Sequence, residues 1–257
     1  MKIVTSSTEL ADGCAFVPTM GALHAGHASL FELARKRSEF VVASIFVNPL
    51  QFEDQEELTK YPRTPERDIE LAESSGVTHL WLPTYDEIYP AGFPKRSAGK
   101  LGEIFEGASR TGHFDGVVTV VARLFELVRP KIAIFGEKDF QQLALIREIA
   151  NEVEIIAAPI IREEDGLAMS SRNVRLDPEG RVAARIISKA LREATSESEL
   201  RSILASEPLL TVDYADYIDE QTFLAPTAST QFTRAIVAGW INGVRLLDNM
   251  PVKSEQK

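Results

Sequence analysis

The chain has 257 residues, with 28 Lys and Arg against 38 Asp and Glu, a formal net charge of −10 and a pI near 5.0. A general nucleic-acid binder needs a basic surplus for its phosphate contacts, so the acidic balance argues against one. Hydrophobic residues make up 44% of the chain, which suits one large domain or two modest ones and excludes collagen-like and disordered classes.

Cysteine content and hydropathy indicate the compartment. Cys14 is the only cysteine, so neither an intrachain disulfide nor a thiolate metal cage can form, which fits a reducing environment. Polar residues interrupt residues 1–13, and no apolar run reaches the roughly 18 residues of a membrane span. We therefore expect a cytoplasmic protein without a secretion signal or membrane association.

Strand-like apolar runs alternate with helix-like segments through the first two-thirds of the chain, which predicts a parallel α/β architecture with crossover helices. The predicted strands are 14–18, 40–47, 79–83, 131–135 and 154–161. The predicted helices are 26–37, 65–75 and 117–128, followed by one that opens at GEKD. Residues 89–95 are predicted to form a loop.

The alternation stops near Arg162, where a polar segment begins. Two helices are predicted beyond it, at 178–194 and 197–205, and then a strand at 212–218. Asn242-Gly243 lies between two apolar runs and is the strongest short hairpin signal. The sequence thus predicts a first domain at 1–162 and a smaller α+β domain at 163–257.

The segment PTMGALHAGH (18–27) marks the end of a predicted strand and the start of a helix, where open α/β sheets bind ligands. Gly21 and Gly26 let the backbone approach a phosphate, and the helix start offers unpaired N–H groups. His24 and His27 can donate hydrogen bonds to negative charge on a triphosphate. The alternative is a plain tight turn with surface histidines, but two histidines within four residues, bracketed by glycines, favour a site.

The segment FGEKDFQQL (135–143) repeats this arrangement at a second junction. Lys138 can reach a phosphate, Asp139 a ribose hydroxyl, and Gln142 lies one helical turn after Lys138. Glu137 and Asp139 can alternatively be first-turn acids that the helix dipole favours. Two junctions of the same kind favour one shared site.

Three further segments carry polar groups. In NPLQF, Asn48 and Gln51 follow the second strand with neutral donors and acceptors that suit a hydroxylated or carboxylate substrate. Arg110 and His113 precede the helix from Val117, and MSSRN (169–173) is a candidate phosphate clamp. The alternatives are an Asn-Pro turn, an ordinary helix start with Asp115 as its N-cap, and a solvated linker.

Several chemistries lack their motifs. The sequence contains no G-x-x-x-x-G-K-[ST], no G-x-G-x-x-G and no G-x-S-x-G. Cys14 lies in a predicted strand and is expected in the core. The remaining interpretation is an ATP-type site that is formed by residues at the ends of strands and has no covalent enzyme nucleophile.

Five segments, PTMGALHAGH, NPLQF, TGHFDGVVTVV, FGEKDFQQL and DGLAMSSRN, resemble in order and spacing the pantothenate synthetase (pantoate–β-alanine ligase) family of the nucleotidylyltransferase superfamily. The HxGH element alone is shared across that superfamily and the class I aminoacyl-tRNA synthetases, whereas FGEKDxQQL with GHFxGVxTVV is specific to this family. VRLLDN, which ends at Asn249, resembles the family's closing strand. Thr111 stands where the family commonly has Pro.

The resemblance implies a Rossmann-like parallel sheet with an HxGH nucleotide site, a C-terminal lid domain and a homodimer. It also implies a two-step ligation, in which the pantoate carboxylate attacks the α-phosphorus of Mg²⁺-ATP and releases pyrophosphate. The amine of β-alanine then displaces AMP from the pantoyl adenylate and gives pantothenate. The Mg²⁺ ligands are not assigned.

The resemblance also assigns roles to single residues. The catalytic groups would be His24, His27, Lys138 and Arg172, with His27 as the proton donor to the departing pyrophosphate. ATP would contact Met20, Gly21, His24, His27, Phe135, Gly136, Lys138, Asp139, Ile161, Met169, Ser170, Ser171 and Arg172. The other substrates would contact Pro18, Met20, Asn48, Gln51, Arg110, His113 and Gln142.

Two rival functions make different predictions. A nucleotidyltransferase that keeps the nucleotide on its product needs a basic pocket for a phosphorylated acceptor and has no need of the Gln51 and Gln142 pair. A catalytically silent ATP-binding protein would lack His27 or Lys138, and both are present.

Overall fold

The computed structural model describes residues 1–53 and 55–252. Contacts divide the chain into two compact units, Met1–Pro159 and Ile160–Lys257. Within the described ranges, no helix is both long enough and apolar enough to cross a membrane.

The first unit contains a parallel sheet of six strands in its described part, in the order β1-β4-β3-β2-β5-β6. The strands are β1 (Lys2–Val4), β2 (Ala15–Thr19), β3 (Val41–Ile45), β4 (His79–Trp81), β5 (Ile132–Gly136) and β6 (Glu154–Ala158). The predicted parallel α/β architecture is confirmed. The sequence analysis missed β1, which is only three residues long and pairs at the sheet edge with β4.

The described part of the first unit has seven α-helices, several of which pack on the two faces of this sheet. They are α1 (Ala25–Arg37), α2 (Gln55–Lys60), α3 (Pro65–Ser74), α4 (Tyr85–Ile88), α5 (Glu106–Ser109), α6 (His113–Val128) and α7 (Phe140–Ile149). Phe16 and Val42 pack in one apolar cluster with α6 and α7, whereas Val17 and Ala43 pack in another with α1 and α3. Because both faces are covered, the central strands are mostly apolar on both faces rather than alternating, with Ser44 as a buried exception. Cys14 is fully buried, as predicted, and burial raises the pKa of its thiol to about 12.

The start of α6 differs from the prediction. The helix begins at His113 rather than Val117, and Gly112, with φ +74°, takes the N-cap position, so the alternative with Asp115 as N-cap is wrong. The carboxylate of Asp115 instead accepts a hydrogen bond from the N–H of Ala98, at 2.7 Å. The side chain therefore holds a neighbouring loop, and the helix extends one turn further toward its N-terminus.

The second unit is a smaller α+β domain. Its described elements are α8 (Pro178–Glu193), α9 (Glu197–Ala205) and the antiparallel strands β7 (Leu210–Asp219), β8 (Thr233–Ile241) and β9 (Val244–Pro251), in the order β7-β8-β9. Asn242 and Gly243 join β8 to β9 with φ of +49° and +74°. Both values are positive, as a tight two-residue hairpin requires, so the predicted hairpin is confirmed.

Two polar side chains meet in the core of the first unit. Ser44 on β3 and Trp81 on β4 are register partners, and both are fully buried. Neither the hydroxyl of Ser44 nor the indole N–H of Trp81 has a hydrogen-bond partner among the described residues. A buried hydroxyl without a partner costs about 1–3 kcal/mol of desolvation.

We predict that Ser44→Ala leaves the free energy of unfolding unchanged or raises it by up to about 1 kcal/mol, because it removes an unpaired hydroxyl. Thr19→Val is the matched control, since the Thr19 hydroxyl donates to the carbonyl of Ser44 at 2.8 Å and its loss is destabilising by about 1 kcal/mol. Urea unfolding of the three proteins tests this. A loss of more than about 1 kcal/mol in Ser44→Ala would contradict it.

Candidate functional site

The chain order of the sheet reverses between β2 and β5. These strands are neighbours, but β3 lies on the far side of β2 and β6 on the far side of β5. The connections that leave their carboxyl ends therefore run to opposite sides and open a crevice, the usual ligand site of such sheets. The HAGH segment follows β2 and the GEKD segment follows β5, so the two predicted junctions meet at this point.

A buried carboxylate fixes the turn after β2. Gly21 and Ala22 both have positive φ, +81° and +51°. Asp68 on α3 is 2% exposed and accepts hydrogen bonds from the N–H groups of Ala22, at 2.9 Å, and Leu23, at 2.8 Å. A Cβ on Gly21 would lie 3.0 Å from the Asp68 carboxylate, so the glycine permits this approach.

The sequence analysis missed Asp68 as a member of the site. One signal was present, because Asp68 lies four residues before the buried Ala72 and therefore on the inner face of α3. An acid on the buried face of a helix needs a polar partner, and here the partner is the turn after β2.

The two histidines cap the start of α1. The Nδ1 atom of His24 accepts from the N–H of Gly26 at 3.1 Å, and that of His27 accepts from the N–H of His24 at 3.3 Å. Their ring centroids lie 4.1 Å apart. A nitrogen that accepts carries no proton, so both rings carry their proton on Nε2. Each Nε2–H is then a fixed donor beside a helix N-terminus.

The environment of His27 keeps it neutral. Burial, and then the nearby His24 and Lys138, lower the pKa of His27 to about 3, against an opposing contribution from Asp139. The same interactions place the GEKD side chains beside the HAGH segment, and the ammonium of Lys138 lies 3.9 Å from the carboxylate of Asp139. At neutral pH, His27 is therefore a hydrogen-bond donor rather than an acid.

Asn48 is saturated by partners inside the protein. It is 1% exposed; its oxygen accepts from the Tyr89 hydroxyl, at 2.8 Å, and from the N–H of Leu50, at 3.3 Å. Its nitrogen donates to the side-chain oxygen of Gln51, at 3.0 Å, and to the carbonyl of Gly116, at 3.1 Å. An amide has no further strong bonds to make, so Asn48 fixes the direction in which the nitrogen of Gln51 points.

The start of α6 packs directly onto the Gln51 turn. A Cβ on Gly116 would lie 2.6 Å from the backbone nitrogen of Gln51, so only glycine permits this approach. His113 is 8% exposed, and its Nδ1 donates to the carbonyl of Gln51 at 2.8 Å. Its Nε2 lies 3.1 Å from a nitrogen of Arg110, which can only donate. His113 therefore carries its proton on Nδ1 and orients Arg110.

Four other predicted site residues of the first unit lie at or near the ends of β2, β5 and α7. Pro18 and Met20 are half-buried at and just after the carboxyl end of β2, Gly136 ends β5, and Gln142 lies in the first turn of α7. The ring of Phe135 packs in the core against Phe125, with centroids 6.4 Å apart. Its backbone, rather than its ring, is thus the part near the crevice.

The remaining predicted residues belong to the second unit. Arg162 and Ala168 form an antiparallel bridge, and the N–H of Met169 donates to the carbonyl of Ile161 at 2.9 Å. Ser170–Arg172 follow as a turn, which we call the serine–arginine turn. Its contact with ATP stays a prediction.

The described residues include no group of three or more His, Cys, Asp and Glu side chains that could hold a metal ion.

Comparisons with known proteins find similar chains over most of the length of this one. The family model described as pantoate-beta-alanine ligase matches residues 2–251. A pantothenate synthetase of Thermus thermophilus is 44% identical, over 98% of this chain and 99% of its own length. A Nocardioides pantothenate synthetase is 46% identical, over 92% of this chain and 78% of its own.

Two solved structures are similar over almost their whole length. The crystal structure of a pantothenate synthetase from Thermus thermophilus has a TM-score of 0.93 at 43% identity and covers 99% of this chain and 100% of its own. A pantoate-beta-alanine ligase from Francisella tularensis, complexed with beta-gamma ATP and beta-alanine, has a TM-score of 0.85 at 33% identity and covers 99% of each chain.

The ring geometry predicts opposite tautomers within one protein. We expect Nε2–H for His24 and His27 and Nδ1–H for His113, in long-range ¹H–¹⁵N NMR spectra at pH 7. His27 is expected to show no protonation step between pH 8 and 5, since its pKa is about 3. The chain has only four histidines, so single His→Gln variants assign the signals. A common tautomer for His27 and His113 would contradict the geometry.

Proposed function

The chain belongs to the pantoate–β-alanine ligase family, and from that membership we propose that it joins pantoate to β-alanine at the crevice between β2 and β5, with ATP as the activating substrate. The observation that carries this proposal is the capping pair of His24 and His27 at the start of α1, beside Lys138. The arrangement supplies two fixed donors, a helix N-terminus and a cation to a triphosphate.

The reaction proceeds in two displacements. A carboxylate oxygen of pantoate attacks the α-phosphorus of ATP, the bond to the β-phosphate oxygen breaks, and pyrophosphate leaves. The amine of β-alanine then attacks the carbonyl carbon of the adenylate, the bond to the AMP oxygen breaks, and the amine loses a proton. No enzyme nucleophile is required, so catalysis consists of positioning the reactants and stabilising phosphate charge.

We propose that the first displacement takes place at the start of α1. The Nε2–H groups of His24 and His27 donate to phosphate oxygens on which charge develops as pyrophosphate departs. His27, which is neutral in the protein without ligand, stabilises this charge in our proposal by a hydrogen bond from Nε2–H. Lys138 adds the cation, and Gly136 and Asp139 bind the ribose.

We assign pantoate to the neutral groups at the end of β3. The fixed amide nitrogen of Gln51 donates to a pantoate oxygen, with Gln142, Pro18 and Met20 as its other contacts. Arg110 is tied through His113 to the Gln51 turn, and its guanidinium suits the carboxylate of β-alanine.

The family resemblance also assigns ATP contacts to residues of the second unit, and we propose these contacts residue by residue. The serine–arginine turn grips the phosphates, and Ile161, Met169 and the backbone of Phe135 border the adenine. ATP enters as its magnesium complex, since Mg²⁺ commonly binds through substrate phosphates with few protein ligands. The lid role of this unit, the homodimer and the cytoplasmic location stay predictions.

Isotope exchange between pyrophosphate and ATP tests the reaction type. With β-alanine omitted, we expect exchange only when pantoate is present, because the adenylate forms reversibly from pantoate and ATP. Addition of β-alanine should then release AMP. Exchange without pantoate, or a product that keeps the nucleotide, would point instead to a nucleotidyltransferase.

His27→Ala should slow this exchange by 10² or more, which is the scale of losing one preorganised donor. His79→Gln is the control, since His79 lies at the amino end of β4, whereas the crevice lies at the carboxyl ends of the strands. A change of less than threefold in the exchange rate of His27→Ala would show that His27 has no such role.

A further inference from the structure

A chain of side chains connects the serine–arginine turn to α8. Asn173, which is 8% exposed, follows the turn immediately. Its N–H donates to the carbonyl of Ser170 and its side-chain nitrogen to the carbonyl of Ala168, each at 3.0 Å. Asn173 therefore closes the turn from both of its ends. Within the turn, the hydroxyl of Ser170 accepts from the N–H of Arg172 at 3.2 Å.

Glu163 forms a hydrogen bond with Asn173. It directly follows Arg162, which pairs with Ala168 in the antiparallel bridge. The side-chain nitrogen of Asn173 donates to Glu163 at 2.8 Å. Arg181 on α8 grips the two oxygens of Glu163 at 3.0 and 2.7 Å, and it also pairs with Asp165 at 2.9 Å. The Arg181 guanidinium lowers the pKa of Glu163, so the carboxylate stays charged and acts only as an acceptor.

Apolar packing fixes the position of α8, the helix that contains Arg181. Ala184, Ile187 and Leu191 of α8 are buried in the apolar cluster that also contains Val237 and Leu246 of the sheet. Because the packed helix is rigid, the bidentate pair between Arg181 and Glu163 fixes the position and direction of the Glu163 carboxylate. The pair itself is about 30% exposed on each side, and such pairs contribute only about 0–1 kcal/mol to stability.

We propose that Glu163 and Asn173 are positioning residues for the serine–arginine turn, and that α8 sets the position of that turn through Arg181. The connection runs from Arg181 to Glu163, then to Asn173, and then to the carbonyls of Ala168 and Ser170. It fixes the backbone from which Ser170, Ser171 and Arg172 reach the phosphates. The inference rests on the proposed function, in which this turn binds ATP.

Two single variants and one double variant test the connection. Asn173→Asp replaces the donating nitrogen by an oxygen, which then repels both Glu163 and the carbonyl of Ala168. Glu163→Gln is milder, because an amide oxygen still accepts from Arg181 or Asn173. In Glu163→Gln/Asn173→Asp, the new amide can donate to the new carboxylate, so the bond between the two side chains forms again with its direction reversed. Glu197→Gln on α9 is the control, because it makes the same charge change beside Arg201 in the same unit.

We expect Asn173→Asp to raise the KM for ATP tenfold or more in the pyrophosphate exchange and to leave the KM for pantoate within twofold. Glu163→Gln should raise the KM for ATP about threefold, and the control should be unchanged. The double variant should recover only part of the loss of Asn173→Asp, because the new carboxylate still faces the carbonyl of Ala168. A purely structural role would instead lower Tm and the active fraction and leave both KM values within twofold. That result, or an equal rise of both KM values, would overturn the proposal.

Calorimetric titration with a non-hydrolysable ATP analogue separates this inference from the proposed function. If the wild type binds the analogue but shows no pantoate-dependent exchange, the proposed ligation is wrong. The Kd values of the variants then still test the positioning role. If the wild type binds and the Kd is the same in all variants, the positioning role is wrong. No binding to the wild type would overturn both.

Discussion

The reversal of chain order between β2 and β5 determines where the HAGH and GEKD segments lie. The chain leaves these two neighbouring parallel strands in opposite directions. The carboxyl ends of two neighbouring strands then open to the same crevice, and each is followed by the start of a helical segment. Residues more than a hundred positions apart in sequence, such as His27 and Lys138, become electrostatic neighbours for this reason. A reversal at another strand pair would separate the histidines from the lysine.

Close backbone packing builds the neighbouring cluster. Gly116 lets the start of α6 approach the Gln51 turn, and Asn48 bonds to both segments. His113 then ties the carbonyl of Gln51 to Arg110. The same amides and imidazole that look like substrate ligands in a sequence thus serve here to hold one glutamine and one arginine in fixed directions, which is the preorganisation that a ligand site needs.

The imidazoles show how one residue type performs different tasks. His24 and His27 accept backbone N–H groups through Nδ1 and therefore carry their proton on Nε2, whereas His113 donates through Nδ1 to a carbonyl. The backbone partner selects the tautomer in each case. In the proposed function, a neutral donor suits the departure of pyrophosphate, because a preorganised hydrogen bond stabilises the charge that develops.

The sequence by itself determined the alternation of strands and helices, the Asn242-Gly243 hairpin and the segments that carry the predicted site, because periodicity, turn chemistry and short motifs are local properties. Only the tertiary structure decided that Asp68 braces the HAGH turn, that Asp115 holds a loop instead of capping α6, and that Asn48 is saturated. It also decided the tautomers and the lowered pKa of His27. These depend on partners distant in the chain, and the hydrogen-bonding capacity of a polar side chain does not reveal which partner it will meet.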